Sequence, residues 1–242
     1  MRNDIPLRIV FEDEHLIVVD KREGLLSMGT GRGKEEVTAH SLLNNYIRNT
    51  APRRGRYAPP PRVFIVHRLD RETSGLMVFA KSEEIKFALQ ENWDEAVTCR
   101  RYVAVLNGCI PSQESSGTIR TWLKENRAFV VYSSPHNNGG QLAITHYRVL
   151  ESNPIKHKTL MELELDTGRK NQIRVHMQEL GYPIYGDKKY FGENPQQLME
   201  SKKAHRLYLH AHTLNFIHPV TGKEMKFSTG IPRSFSAQVA RK

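Results

Sequence analysis

The chain has 242 residues, 38% hydrophobic and 26% charged, a balance that excludes a disordered polypeptide and supports a buried core. Two cysteines, Cys99 and Cys109, exclude a disulfide framework and a closed thiolate zinc site, and apolar runs as short as Leu16–Val19 and Val63–Val66 exclude a membrane-spanning helix. Thirty-six Lys and Arg against 26 Asp and Glu leave a net charge of +10, which points to a polyanionic partner such as nucleic acid.

The acidic N-terminal segment, with Glu12, Asp13 and Glu14, is neither a signal nor a transit peptide, so the expected location is cytoplasmic. Arg8–Phe11 and His15–Asp20 read as paired strands, followed by a turn at Lys21-Arg22-Glu23-Gly24. The loop Gly29–Lys34 has neither the Walker nor the dinucleotide spacing of glycines and reads as a basic loop carrying Arg32 and Lys34. Thr38–Ile47 predicts a helix capped by Thr38 or Ser41.

Residues 51–62 hold four prolines together with Arg53, Arg54, Arg56 and Arg62, which predicts a flexible basic loop. Val63–His67 and Leu76–Ala80 are apolar enough for buried strands, and Ser82 is placed to cap a helix whose apolar face is Ile85, Ala88 and Leu89. Tyr102–Leu106, Gly117–Trp122, Phe129–Tyr132, Ile144–Leu150 and Met161–Leu165 predict further strands. A helix over about Asn171–Leu180 is ended by Gly181 and Pro183, and Leu207–Phe216 and Met225–Phe227 predict the last strands. Hairpin-like strand pairs with few helices and no repeat predict an α+β fold, with a mixed, mainly antiparallel sheet flanked by helices.

Two segments concentrate chemistry. In His67–Leu76, Asp70 stands between Arg68 and Arg71, and neighbouring cations favour an ionised carboxylate able to act as nucleophile or base. In Asp166–His176, Arg169 and Lys170 precede a helix that places Arg174 and Gln178 on one face, beside Ile173, Met177 and Leu180. An Arg beside such a stripe can reach a buried carboxylate. His210 and His212 share a strand face, but no third metal ligand is evident and structural roles are expected. The Gly-x-Ser-x-Gly elbow of serine hydrolases is absent.

His67-Arg68-Leu69-Asp70-x-x-Thr73-Ser74-Gly75-Leu76 resembles the hallmark motif of the RluA-type pseudouridine synthases. Gly168-Arg169-x-x-Gln172-Ile173-Arg174-Val175-His176, with Gly181-x-Pro183-Ile184-x-Gly186-Asp187-x-x-Tyr190, resembles their second signature. Weaker similarities lie at Glu12–Gly24, Arg101–Ala104, Leu209–Ala211 and His218–Gly222. The resemblance implies a single catalytic pseudouridine synthase domain over residues 1–242, without the N-terminal RNA-binding domain of many relatives.

It also implies isomerisation of uridines in structured RNA, tRNA or ribosomal, by a monomer needing no metal, organic cofactor or protein partner. Asp70 would be the catalytic carboxylate, either adding to the sugar or removing its 2′ proton. Arg174 would pair with it, and Tyr102 would stack on the uracil. Arg53, Arg54, Arg56, Arg62, Arg68, Arg71, Arg169 and Lys170 are the expected RNA contacts. Two departures stand out: Lys21-Arg22-Glu23-Gly24 replaces the family's Lys-Pro-x-Gly, and Arg169-Lys170-Asn171-Gln172 replaces Arg-Thr-His-Gln. The other readings are a catalytically silent RNA binder on the same fold and a histidine-metal hydrolase.

Overall fold

A computed structural model describes residues 7–29, 36–50, 60–191 and 195–240. Of the predicted loop Gly29–Lys34 only Gly29 is described, and of the predicted loop 51–62 only residues 60–62, so Arg32, Lys34, Arg53, Arg54 and Arg56 lie outside the described residues. The chain divides into two compact units, residues 1–98 with 214–228, and residues 99–213 with 229–242.

The first unit opens with β1 (Arg8–Glu12) and β2 (Leu16–Lys21), then α1 (Ala39–Thr50), β3 (Phe64–Ile65), β4 (Ser74–Ala80), α2 (Glu83–Glu91) and α3 (Trp93–Ala96). The second runs through β5 (Cys99–Asn107), β6 (Ser116–Glu125), β7 (Val131–Ser134), β8 (Gln141–Asn153), β9 (Lys158–Leu165), α4 (Gln172–Glu179) and α5 (Pro195–Lys203). Strand β10 (Leu209–Ile217) carries residues of both units, β11 (Glu224–Ser228) belongs to the first, and α6 (Arg233–Val239) closes the second.

In the first unit β2 lies between β1 and β4, antiparallel to both, with Leu16 opposite Ala80 and Lys21 opposite Gly75. Leu16, Val18, Leu76 and Val78 build its core with Leu89 of α2. The caps form as read. Thr38 and Ser41 bond each other's backbone N–H (2.9 and 3.0 Å), and the Ser82 hydroxyl accepts from Ile85 N (3.3 Å).

The strand predicted over Val63–His67 shrinks to Phe64–Ile65. Side chains take over the pairing beyond it: the Gln90 amide donates to the carbonyls of Ile65 (3.3 Å) and Val66 (2.7 Å), and His67 Nε2 accepts from Val78 N (3.1 Å).

In the second unit the strands run β5-β9-β8-β6-β7, all antiparallel. Helix α4 seals one face: its Ile173 and Met177 pack on Ala104, Leu106, Met161 and Leu163. Gly181 ends α4 at φ +86°, as its position implies. Strand β7 begins at Val131 rather than Phe129, because Phe129 sits in a left-handed turn at φ +58°. Among the described residues no helix is long and apolar enough to cross a membrane.

Candidate functional site

Asp70 lies in the first unit, half-buried on the loop that leads into β4. That loop is held on both sides. The Ser27 hydroxyl donates to Leu69 O (2.7 Å) and accepts from Leu69 N (3.2 Å), so one side chain satisfies both backbone groups of the residue before Asp70. Asp70 O accepts from Thr73 N (3.1 Å), closing the turn.

On the other side, Arg71 O accepts from Gly24 N (2.9 Å) and from the Lys21 ammonium (3.2 Å). Lys21 is fully buried and donates also to the carbonyls of Arg22 (3.0 Å) and Leu25 (2.8 Å). A buried ammonium requires such saturation by carbonyl dipoles. The Lys21–Gly24 segment is therefore a bracket for the Asp70 loop as well as a turn. Ser27 did not stand out in the sequence, and Lys21 did so only as the first residue of the Lys21-Arg22-Glu23-Gly24 turn, with no sign of the carbonyls it meets.

Arg68 and Arg71 are exposed, and Arg71 Nε donates to Gly24 O (3.1 Å), tying the same bracket from the other direction. Arg62 is exposed, its guanidinium 4.8 Å above the Phe64 ring.

Tyr102 and Arg174 lie in the second unit. Tyr102 is half-buried on β5 opposite Leu163, against the same cluster that receives α4, so strand tyrosine and helix share one face of the sheet. The sequence placed Arg174 and Gln178 on a common face. Helix α4 contains both, but their burial differs: residues 172–177 are all buried, whereas Gln178 is exposed.

Arg174 points inward. Its Nε and one Nη meet the two oxygens of Asp187 at 2.7 and 2.8 Å, its other Nη donates to Asn171 Oδ1 at 3.1 Å, and its guanidinium stands 5.0 Å from the Tyr190 ring centroid. The fork-to-fork geometry sets both the position and the plane of the guanidinium.

Asp187 is itself organised by the chain after it, its Oδ1 accepting from Lys189 N and Tyr190 N (both 2.8 Å). The preceding glycine is obligatory: Gly186 has φ +82°, and a Cβ there would stand 1.8 Å from Arg206 O. Asn171, one of the departures from the family pattern, begins α4 at φ +55°, a conformation Asn tolerates, and its amide bonds Tyr190 Oη (3.1 Å) as well as Arg174.

Gln172 and His176 anchor α4 to the sheet. Gln172 Oε1 accepts from Thr167 Oγ1 (2.9 Å) and Arg169 N (3.0 Å), and its amide donates to Ile144 O (2.9 Å) and Thr145 Oγ1 (3.0 Å). His176 is fully buried between the hydroxyls of Thr145 (2.8 Å) and Thr121 (3.0 Å), and burial pushes its pKa down to about 4. His210 is likewise held down to about 4, by burial first and by the charges of Arg206 and His212 next.

Because both folded-state pKa values lie below the ordinary 6.5, the unfolded chain takes up protons first as the pH falls. Stability is therefore complete above about pH 6.5, falls from there, and levels off below about pH 4, by on the order of 3 kcal/mol per histidine. Urea unfolding of wild type and His176→Gln across this range checks it. The wild-type curve should fall more steeply, and parallel curves would remove His176 from the effect.

The late histidines have structural partners. His210 Nε2 meets Thr229 Oγ1 (2.8 Å), His212 Nδ1 meets Thr213 Oγ1 (3.0 Å), and His218 Nε2 donates to Asp13 (3.0 Å). Among the described residues no three His, Cys, Asp or Glu side chains group to hold a metal ion. Arg169 Nε donates to Leu142 O (3.0 Å), and exposed Lys170 pairs with Glu125.

A family described as RNA pseudouridylate synthase matches residues 15–179, a span that includes Asp70, Tyr102 and Arg174. The ribosomal large subunit pseudouridine synthase D of Pseudomonas aeruginosa is 36% identical over 247 residues, covering 97% of this chain and 71% of that protein. Its namesake in Zymomonas mobilis is 34% identical over 95% of this chain and 71% of its own length. Among solved structures, human RNA pseudouridylate synthase domain containing 4 superposes with a TM-score of 0.73 at 25% identity, over 96% of this chain and 91% of that one. Human RNA pseudouridylate synthase domain containing 1 shares the fold, with a TM-score of 0.72 at 23% identity, over 98% and 91%.

Proposed function

The chain belongs to the RNA pseudouridine synthases, an RluA/RluD-like family of RNA isomerases, and from that premise we propose that it isomerises particular uridines of large-subunit ribosomal RNA. The observation that carries this reading is similarity along 95% or more of the chain to proteins named for that substrate. In the reaction the N1–C1′ bond breaks, the uracil turns, and C5 bonds to C1′. The C5 proton is lost and N1 gains one, so atoms and oxidation state balance.

We assign Asp70 as the carboxylate that opens this pathway, Tyr102 as the surface on which the uracil stacks, and Arg174 as the cation that the family resemblance pairs with Asp70. Two features support the assignment: the backbone on either side of Asp70 is tied down, and the Arg174 guanidinium is already oriented by Asp187. Rigid support of this kind is what a catalytic constellation needs. Extruding the target uridine costs a few kcal/mol, which contacts from Arg62, Arg68, Arg71, Arg169 and Lys170 offset.

The test is tritium release from C5-labelled uridine in two unmodified RNAs, a large-subunit rRNA transcript and tRNA. Release from the rRNA is the expected result. Release from tRNA alone would overturn the substrate assignment, and release from neither, by folded protein that binds both, would favour a silent binder.

A further inference from the structure

The hairpin joining β6 to β7 ends in Phe129, which the pseudouridine synthase signatures do not include. The residue is 64% exposed and adopts φ +58°. Bulky L residues rarely take this conformation, so the surroundings must hold it. They do so with four hydrogen bonds. Asn126 Oδ1 accepts from Ala128 N (2.9 Å) and Val130 N (3.0 Å), Phe129 N donates to Asn126 O (3.0 Å), and the Lys189 ammonium donates to Phe129 O (2.6 Å). The hairpin thus presents an apolar ring to solvent on a braced loop.

A cation that also pairs with Glu125 lies by that ring. The Lys170 ammonium stands 5.9 Å from its centroid. Beside it opens a groove of about 240 Å³ whose polar lining includes Lys124, Arg169 and Lys170, with one carboxylate, Glu125, and the backbones of Gly139 and Gly140. An exposed aromatic face next to a cationic groove is the arrangement that binds single-stranded nucleic acid: bases stack on the ring and phosphates follow the charge.

The groove is also joined to the catalytic signature of its own unit. Tyr190 Oη accepts from Val131 N (3.0 Å), at the start of β7, and from Asn171 Nδ2 (3.1 Å), while Asn171 Oδ1 accepts from Arg174 (3.1 Å). Hairpin and Arg174 share one hydrogen-bonded frame.

We propose that Phe129 and this groove form a single-stranded RNA subsite of the second unit, in which a base stacks on Phe129 and its phosphate lies against Lys124, Arg169 and Lys170. The proposal rests on the RNA isomerase reading and extends it to RNA outside the target uridine.

Phe129→Gly tests it with little risk to folding, because glycine removes the ring and accepts the left-handed backbone. Binding of a short labelled oligouridylate is followed by fluorescence anisotropy between about 50 and 200 mM salt. Phe129→Gly should bind roughly 5- to 100-fold more weakly with an unchanged salt slope, and Phe129→Tyr should restore binding. Lys124→Ala with Lys170→Ala should instead flatten the slope of log affinity against log salt, by about 0.7 per lost phosphate contact.

Phe129→Gly affinity within about twofold of wild type would overturn the stacking role, and an unchanged slope in the lysine pair would overturn the phosphate role. These are binding measurements on an oligonucleotide. If wild type released no tritium from either RNA, the isomerase reading would fail while the subsite would still be decided by its own data.

Discussion

Asp70→Asn should abolish pseudouridine formation while leaving the fold and RNA affinity in place. The substitution keeps the shape of the side chain and removes its charge. The backbone ties around it persist, because they run through Leu69, the Asp70 carbonyl, Arg71 and Thr73 rather than through the carboxylate. An amide neither adds to C1′ nor accepts the 2′ proton. If the carboxylate acts as a base the loss should be on the order of 10² to 10⁴-fold, and larger if it acts as a nucleophile. Tritium release under single-turnover conditions, with saturating enzyme, separates chemistry from binding. A variant isomerising within about tenfold of wild type would remove Asp70 from the mechanism.

Asp187→Ala should cause the largest loss of stability of any single substitution in the Arg174 network. Asp187 is fully buried at its side chain, and Arg174 is 11% exposed there. Burying an ion pair contributes little by itself, but removing one partner leaves the buried guanidinium without its bidentate carboxylate, at a cost of about 3–5 kcal/mol. The backbone N–H groups of Lys189 and Tyr190 lose their acceptor at the same time. For a chain of this length the melting temperature should drop by roughly 10 °C.

Arg174→Met on the Asp187→Ala background should recover part of the loss, because it deletes the guanidinium that has lost its bidentate carboxylate. A double-mutant cycle then reports a coupling energy on the order of 1–3 kcal/mol. A melting temperature for Asp187→Ala within about 2 °C of wild type would show that water or another group already satisfies the guanidinium. Activity should fall with Asp187→Ala even at temperatures where the variant stays folded, since the two parallel bonds from Asp187 that align the guanidinium plane are gone.

The strands, the caps and the two signatures were legible because each is a local pattern. Alternation in Met161–Leu165 follows the two-residue period of a strand, Ser82 caps α2 within its first turn, and Gly181 ends α4 where a left-handed residue is needed. The resemblance pointed to Asp70 and Arg174 because motif spacing is carried by the chain itself. Phe129 was misplaced into a strand, since its β-forming side chain gives no sign of the Asn126 and Lys189 bonds that hold it in a turn.

Sequence alone determined the family, the reaction class, the mostly antiparallel α+β architecture and the residues on which chemistry was to be sought. Tertiary structure decided who supports them: Lys21 and Ser27 for the loop of Asp70, and Asp187, Asn171 and Tyr190 for Arg174. The division has a physical cause. Periodicity and capping express hydrogen bonds closed within a few residues. A buried ammonium 50 positions from the carbonyl it meets, or a hydroxyl 42 positions from its partner, finds it only after the strands between them have folded. Such pairings are set by the approach of packed elements in space, and one-dimensional spacing does not record them.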